Sequence, residues 1–246
     1  MIPKVIHYCW FGGNPLPNDA KRCIASWRKY MPEYEIKEWN EDNFDVNVIP
    51  YTQEAYRAKK YAFVSDYARF WILYNYGGLY FDTDVEVIRP LDEIVDKGPF
   101  LGYEIDSDEE VCGVVNPGQG MCAEPRMSFY ELVLKRYATM SFILEDGSYN
   151  TEYAVVRLTT DCMKKCGLTA ASGTQSVAGI NIFPKCYFNP FDDTVGRLSV
   201  TDKTHTIHWY SKSWMNISPA RQFISRLAHR LLGVNVSGRI KRMMKL

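Results

Sequence analysis

Ser65-Asp66-Tyr67-Ala68-Arg69-Phe70-Trp71-Ile72-Leu73-Tyr74-Asn75-Tyr76-Gly77-Gly78-Leu79-Tyr80-Phe81-Asp82-Thr83-Asp84 sets out a helix, its stop, a strand and a paired carboxylate in one run. Asp66 and Arg69 are three residues apart, so on a helix they share a face. Gly77-Gly78 ends that helix, because glycine accepts the left-handed conformation of a helix C-terminus. Leu79-Tyr80-Phe81 then reads as a buried strand that delivers Asp82 and Asp84 to its C-terminal end. Two carboxylates with one residue between them form a hard-oxygen site suited to Mg²⁺ or Mn²⁺ carrying a phosphate. The run points to an enzyme that handles a phosphorylated ligand.

Working outward, Lys4 to Trp10 reads as a first strand, closed by Gly12-Gly13-Asn14-Pro15. Asn18 or Asp19 is expected to cap a helix reaching Tyr30, with Ile24 and Trp27 facing inward. Tyr34 to Trp39 alternates like a second strand, and residues 53–76 read as a long, broken helical region. Val85 to Ile88 is expected to extend the Asp82 strand as a short edge. Phe100 to Tyr103 and Val111 to Val115 read as strands, Ser128 to Thr139 and Asn150 to Cys166 as helices. Residues 167–200 are rich in strand and turn signals, and Thr204 to Tyr210 reads as a late strand. Strands alternating with helices predict an α/β layer on a mainly parallel sheet.

Length and composition set the bounds. The 246 residues suit one domain with a sizeable core, and 46% hydrophobic with 24% charged residues match a globular protein. No apolar run is long enough for a membrane-spanning helix, which takes about 18 residues. The first residues enter a strand pattern directly, so no leader is expected and the cytoplasm is the expected compartment. The seven cysteines form no CxxC pair, which favours free, buried thiols.

The zero net charge hides an asymmetry. Met215 to Leu246 contains no acid, while Arg221, Arg226, Arg230, Arg239, Lys241, Arg242 and Lys245 are basic. Against 29 basic and 29 acidic residues overall, the remainder is therefore as acidic as the tail is basic. An acidic body repels nucleic-acid phosphates, so nucleic acid is not an expected partner. Phe223, Ile224, Leu227, Leu231 and Leu232 fall at helical spacing beside Arg226 and Arg230. Such a helix suits an anionic membrane surface or packing on the body. The expected division is a catalytic domain over 1–217 and a basic amphipathic tail over 218–246.

An Asp-x-Asp at a strand end has two enzymatic uses. It holds a cation bridging the phosphates of a sugar nucleotide, where the metal acts as a Lewis acid. Alternatively, Asp82 is a nucleophile in a haloacid-dehalogenase-like phosphatase, for which Lys185 and Asp192-Asp193 are the downstream candidates. A non-catalytic sugar-nucleotide sensor is a third reading.

Upstream residues favour the first. Ile2-Pro3-Lys4-Val5-Ile6-His7 with Trp10, then Ser65 to Arg69, then Gly77 to Asp84, then His208 with Ser213-Trp214, resemble the DXD-motif sugar transferases of glycosyltransferase family 32, which includes mannosyltransferases and capsule enzymes. The resemblance is strong over 1–92, patchy to about 200, and returns at 205–214. It implies a GT-A type fold with a single Rossmann-like, mainly parallel sheet flanked by helices. It also implies retaining transfer of a hexose from a sugar nucleotide, UDP-hexose being favoured, to a glycan or lipid-linked acceptor in cell-surface polysaccharide synthesis.

By the same resemblance, Trp10 stacks on the base, and Asp66 and Arg69 bind the donor's sugar and ribose. Tyr80 packs beside the nucleotide and Asp82 contacts ribose or sugar. Asp82, Asp84 and His208 hold Mn²⁺ or Mg²⁺, Asn116 contacts the donor sugar, and Ser213-Trp214 caps the diphosphate. Asp66, Arg69 and Asp82 are thus the expected catalytic residues. A lipid-linked acceptor and the basic tail together imply peripheral contact with the inner face of the cell membrane. His7 and His205 are read as structural.

Overall fold

The computed structural model describes residues 1–151 and 153–211. In chain order its elements are β1 (Val5–Cys9), α1 (Asn18–Tyr30), β2 (Glu35–Trp39), α2 (Pro50–Arg57), α3 (Tyr61–Tyr76), β3 (Gly78–Tyr80), β4 (Val85–Val87), α4 (Asp92–Val95), β5 (Phe100–Ile105), β6 (Val114–Asn116), β7 (Met121–Ala123), α5 (Ser128–Ala138), α6 (Val155–Lys165), β8 (Gln175–Val177), β9 (Ile180–Phe183), β10 (Phe191–Asp192), β11 (Arg197–Leu198) and β12 (Thr206–His208).

An eight-stranded sheet forms the middle layer, in the order β2-β1-β3-β7-β5-β9-β8 with β6 paired to β5. β1 is parallel to β2 and β3, and β5 is parallel to β9. β7 is antiparallel to both β3 and β5, which returns β5 to the direction of β3. β2, β1, β3, β5 and β9 therefore all point one way, so the sheet is mainly parallel in strand direction, with antiparallel insertions. The C-terminal ends of β1, β3 and β5 lie along the same edge.

Helices cover both faces. Ile24 and Trp27 of α1 and Ile94 of α4 join Leu79, Phe81, Val85 and Phe100 in one buried cluster. Residues of α2, α3, α5 and α6 build the other, around Tyr51, Phe70, Tyr130 and Leu158. The fold is the α/β, helix-flanked, mainly parallel arrangement that the alternation of strands and helices predicts.

Helix α3 is buried on nearly every side, with Phe63, Val64, Tyr67, Ala68, Phe70, Ile72 and Leu73 inside. It is the central rod of its layer, and burial also takes in Asp66 and Arg69. Gly77 ends it at φ 65, with the Gly77 N–H donating to the Leu73 carbonyl. A Cβ on Gly77 would lie 2.7 Å from Pro125 Cδ, and one on Gly78 would lie 2.7 Å from the Val5 carbonyl oxygen. The stop therefore needs glycine for conformation and for room.

Some expectations change. The broken region 53–76 is two helices, α2 and α3, separated at Lys59, which has φ 57. Neither Asn18 nor Asp19 caps α1. The cap position is Pro17, in an extended conformation with no side-chain bond, and Asp19 lies in the first turn, where it pairs with Arg22 at 2.9 Å. Val85–Val87 does not extend β3. The Val85 N–H donates to the Asp82 carbonyl in a turn, and β4 pairs antiparallel with β12 in a separate ribbon, Val85 opposite His208. The strand expected over 111–115 starts only at Val114, because the Asp108 carboxylate accepts the Glu110 and Val111 N–H groups and holds them in a turn. The helix expected from Asn150 begins at Val155. All seven cysteines are free, with Cys162 buried and Cys166 exposed. The boundary at 217/218 and the basic tail lie outside the described residues.

Candidate active site

At the C-terminal edge of β1, β3 and β5 the described residues wall a cavity of about 710 Å³. Trp10 and Phe11 follow β1, Asp82 to Asp84 follow β3, and Glu104 ends β5; all line it, with Asp66, Arg69, Asn116, His208 and Tyr210. The crossovers that place strand ends side by side make this edge the ordinary location for a ligand in an open α/β sheet.

The floor is an ionic lattice. One terminal guanidinium nitrogen of Arg69 pairs with Asp66 Oδ1 at 2.9 Å and with Asp82 Oδ1 at 3.1 Å. Arg69 Nε donates to the Ser65 carbonyl at 3.1 Å, which fixes the fork along the helix. Tyr80 lies behind the lattice, 1% exposed, and its hydroxyl donates to Asp82 Oδ1 at 3.1 Å. The Asp82 N–H donates to the Gly118 carbonyl at 3.0 Å. Gly118 sits so close that a Cβ there would lie 2.2 Å from Asp82 Oδ2 and 3.2 Å from the Arg69 guanidinium. The bare backbone of Gly118 is what lets the carboxylate occupy its place.

Asp84 faces the late ribbon. His208 Nε2 is 3.2 Å from Asp84 Oδ1, and the Ser211 N–H donates to Asp84 Oδ2 at 2.7 Å. The register that sets Val85 against His208 brings these two side chains together from positions about half the chain apart. On the far side of the ribbon, Trp27 Nε1 donates to the Val85 carbonyl at 2.7 Å, which anchors the turn to α1.

The charges respond to this crowding. Burial raises the Asp66 carboxyl to about 7, opposed by Arg69 and reinforced by Asp82. Burial also raises Asp82, with Arg69 pulling the other way. Asp84 is held below the usual carboxylate range despite its burial, by His208 and by the bond from Ser211. Burial works against the His208 imidazolium, yet the charge and hydrogen bond of Asp84, with Asp82, raise its pKa. This excess of buried carboxylate is the electrostatic condition for holding a cation.

Asp82, Asp84 and His208 offer ligand atoms that all lie within 4.8 Å of one another. Two carboxylate oxygens and an imidazole nitrogen fit a divalent cation. The nitrogen donor suits Mn²⁺ better than Mg²⁺, which favours oxygen ligands.

Residues 17–101 match the family described as "Glycosyltransferase sugar-binding region containing DXD motif". This stretch of the chain is similar to the DXD-bearing region of glycosyltransferases. That region takes in Asp66, Arg69, Tyr80, Asp82 and Asp84, while Trp10, Asn116 and His208 fall outside it. The chain is similar to inositol phosphoceramide mannosyltransferase 1 of Schizosaccharomyces pombe, at 28% identity over 111 residues, covering 41% of this chain and 33% of that protein. It is also similar to mannosyl phosphorylinositol ceramide synthase CSH1 of Saccharomyces cerevisiae, at 29% identity over 139 residues, covering 55% and 35%. It thus spans about a third of the length of these curated relatives. Among solved structures, PaToxG glycosyltransferase aligns with a TM-score of 0.47 at 16% identity, over 67% of this chain and 69% of that one.

The placement of the sequence-identified residues is uneven. Asp66, Arg69, Asp82, Asp84, His208, Asn116 and Trp10 all reach the one cavity. Tyr80 does not stand on its wall: the ring is packed inside, with the Arg69 guanidinium 5.0 Å from its centroid. Asp82 and Arg69, which it touches, are the residues that stand on the wall. Ser213 and Trp214 lie outside the described residues. Lys185 and Asp192 line a separate pocket of about 300 Å³ with Asp106 and Arg197, so the phosphatase constellation is not gathered around Asp82. Sequence reading missed Glu104, Gly118 and Tyr210. Asn116-Pro117-Gly118 did carry a signal, since Asn116 Oδ1 accepts the Gly118 N–H at 2.8 Å in the turn that asparagine favours.

Proposed function

We propose that this chain is a metal-dependent retaining glycosyltransferase that moves a hexose from a sugar nucleotide to a hydroxyl of a glycan or lipid-linked acceptor. The observation that carries this reading is the convergence of Asp82, Asp84 and His208 beside the Asp66–Arg69 pair in a cavity at the strand ends. The DXD region supports sugar transfer, and the relatives' names make mannose one hexose to test. UDP is the favoured nucleotide, with GDP to be tried beside it.

Each residue has a part. Trp10 offers its ring to the base, and the bond from its Nε1 to the Asn14 carbonyl at 2.6 Å fixes the orientation. Arg69, locked by three bonds, holds donor oxygens with Asp66 and neutralises phosphate charge. Asp82, steadied by Tyr80, binds ribose or sugar hydroxyls. Asp84, Asp82 and His208 hold the cation, which when bound offsets the charge of the departing diphosphate. Asn116, on the cavity wall, contacts the sugar. The acceptor hydroxyl approaches on the face the leaving group departs from, and its proton passes to the leaving phosphate. Catalysis then consists of positioning and preorganised charge.

The test is Asp84→Asn. Wild-type protein gains thermal stability from a UDP- or GDP-hexose only with Mn²⁺ present, by about 2.7 kcal/mol when the ligand is at a hundred times its Kd. The variant loses that gain, and turnover falls by two orders of magnitude or more. Full turnover of the variant at saturating Mn²⁺ would refute the metal assignment. Donor binding without hydrolysis or transfer in the wild type would favour a sensor.

A further inference from the structure

Glu104 belongs neither to the DXD region nor to the residues found by pattern, yet it stands on the cavity wall at the end of β5. The sheet order fixes what it faces. Along the ligand edge come β1 with Trp10, then β3 with Asp82, then β7, then β5 with Glu104. Two strand spacings, roughly 10 Å, separate the last pair. On the proposed reading, the base lies toward Trp10 and the diphosphate at Asp82 and Asp84. The next group along the edge is the transferred sugar.

The chemistry of Glu104 agrees with that place. Asn116 Oδ1 is committed to the Gly118 N–H, which turns Asn116 Nδ2 toward Glu104 Oε2 at 3.2 Å. The Tyr210 phenol, stacked on His208 with centroids 4.2 Å apart, meets the same carboxylate. Glu104 is thus aimed by two neighbours that are themselves fixed. A carboxylate has about four acceptor positions and no donor, so these contacts leave it capacity for ligand hydroxyls. It repels phosphate, which keeps the diphosphate at the other end, and it repels an acidic sugar.

We propose that Glu104 reads the transferred sugar, accepting hydrogen bonds from the hydroxyls of a neutral hexose and excluding uronates. This rests on the glycosyltransferase reading, and the experiment separates the two. With Mn²⁺, calorimetry measures the Kd of UDP, UDP-glucose and UDP-glucuronate, and of GDP and GDP-mannose, on the wild type, Glu104→Gln and Glu104→Asp. In Glu104→Gln, the neutral sugar nucleotide weakens about tenfold, while the bare nucleotide diphosphate changes less than twofold. The preference for glucose over glucuronate shrinks by a similar factor. A carboxylate acting only by holding Asn116 would leave that preference unchanged, and this result would overturn the inference. Equal weakening of nucleotide and sugar nucleotide, or weakening of neither, would also overturn it. Glu104→Asp keeps the charge at shorter reach, so it retains discrimination against the uronate and serves if the glutamine variant does not fold. A wild type that binds neither UDP nor GDP overturns the glycosyltransferase reading, and this inference with it.

Discussion

Asp82 and Asp84 are two residues apart, yet their surroundings push their acidities in opposite directions. Asp82 is raised by burial, whereas Asp84, gripped by His208 and the Ser211 amide, is lowered. The pattern Asp-x-Asp carries no trace of this difference, because the partners come from residues far along the chain. Gly118 is a second hidden dependence. Gly118→Ala drives a methyl into Asp82 Oδ2, so we expect a loss of about 1–3 kcal/mol of stability from overpacking and at least a tenfold loss of Mn²⁺ affinity. Denaturant unfolding and metal titration of the purified variant check both numbers; an unchanged Mn²⁺ affinity would show that the aspartate does not need its present position. His7 is the residue whose role is structural. Its Nε2 donates to the Gly77 carbonyl at 3.0 Å and its Nδ1 accepts from Trp39 Nε1 at 3.1 Å, a neutral imidazole with both nitrogens used. Burial lowers its pKa to about 4 from 6.5. At this group the unfolded chain then binds more protons between those values, so the His7 contribution is full above pH 6.5 and is lost as pH drops toward 4, by about 3 kcal/mol. Asp66 and Asp82, raised by burial, move stability the other way over this range, so the difference in urea midpoint between wild type and His7→Gln, compared at pH 7 and pH 4.5, measures the loss.

At the scale of elements, the glycine stop is the most legible part of the chain. The Asp66/Arg69 spacing, the helix end and the short strand could all be read from Ser65 to Asp84, because each depends on neighbours within a turn or two. Gly77→Ala tests the stop directly. The left-handed conformation costs a side chain roughly 1–2 kcal/mol, and the contact with Pro125 adds to it, so a loss of at least about 2 kcal/mol in denaturant unfolding is expected. A variant as stable as the wild type would mean that the helix ends elsewhere. The β4–β12 ribbon was not legible in the same way. Val85 to Ile88 looked like a continuation of the preceding strand, since local pattern records strand propensity but not which strand is the partner. Glu104 was hidden for a similar reason: a carboxylate ending Phe100-Leu101-Gly102-Tyr103 looks like an ordinary exposed strand end until β7 sets β5 two places from β3. The N-terminus of α1 misled through composition, because Pro17 supplies the extended entry that Asn18 would otherwise provide.

For the whole molecule, charge is distributed along the chain rather than balanced within it. The acidic body and the basic stretch after Met215 form a dipolar sequence, and no helix among the described residues is long and apolar enough to cross a membrane. We propose that the basic tail holds the protein at an anionic surface, each basic residue near the lipid contributing roughly 1 kcal/mol. Arg226→Glu with Arg230→Glu should then abolish co-sedimentation with vesicles containing phosphatidylserine, and added salt should do the same to the wild type. Retained binding after both charge reversals would assign the tail to packing on the body instead. The β4–β12 ribbon matters at this scale too. Because it sets His208 beside Asp84, the candidate cation site is completed by a long-range closure, and such contacts form late. During synthesis, a chain that has emerged only through the DXD run holds its aspartates without their histidine. On the proposed function, donor binding through the cation therefore becomes available only once translation has passed His208.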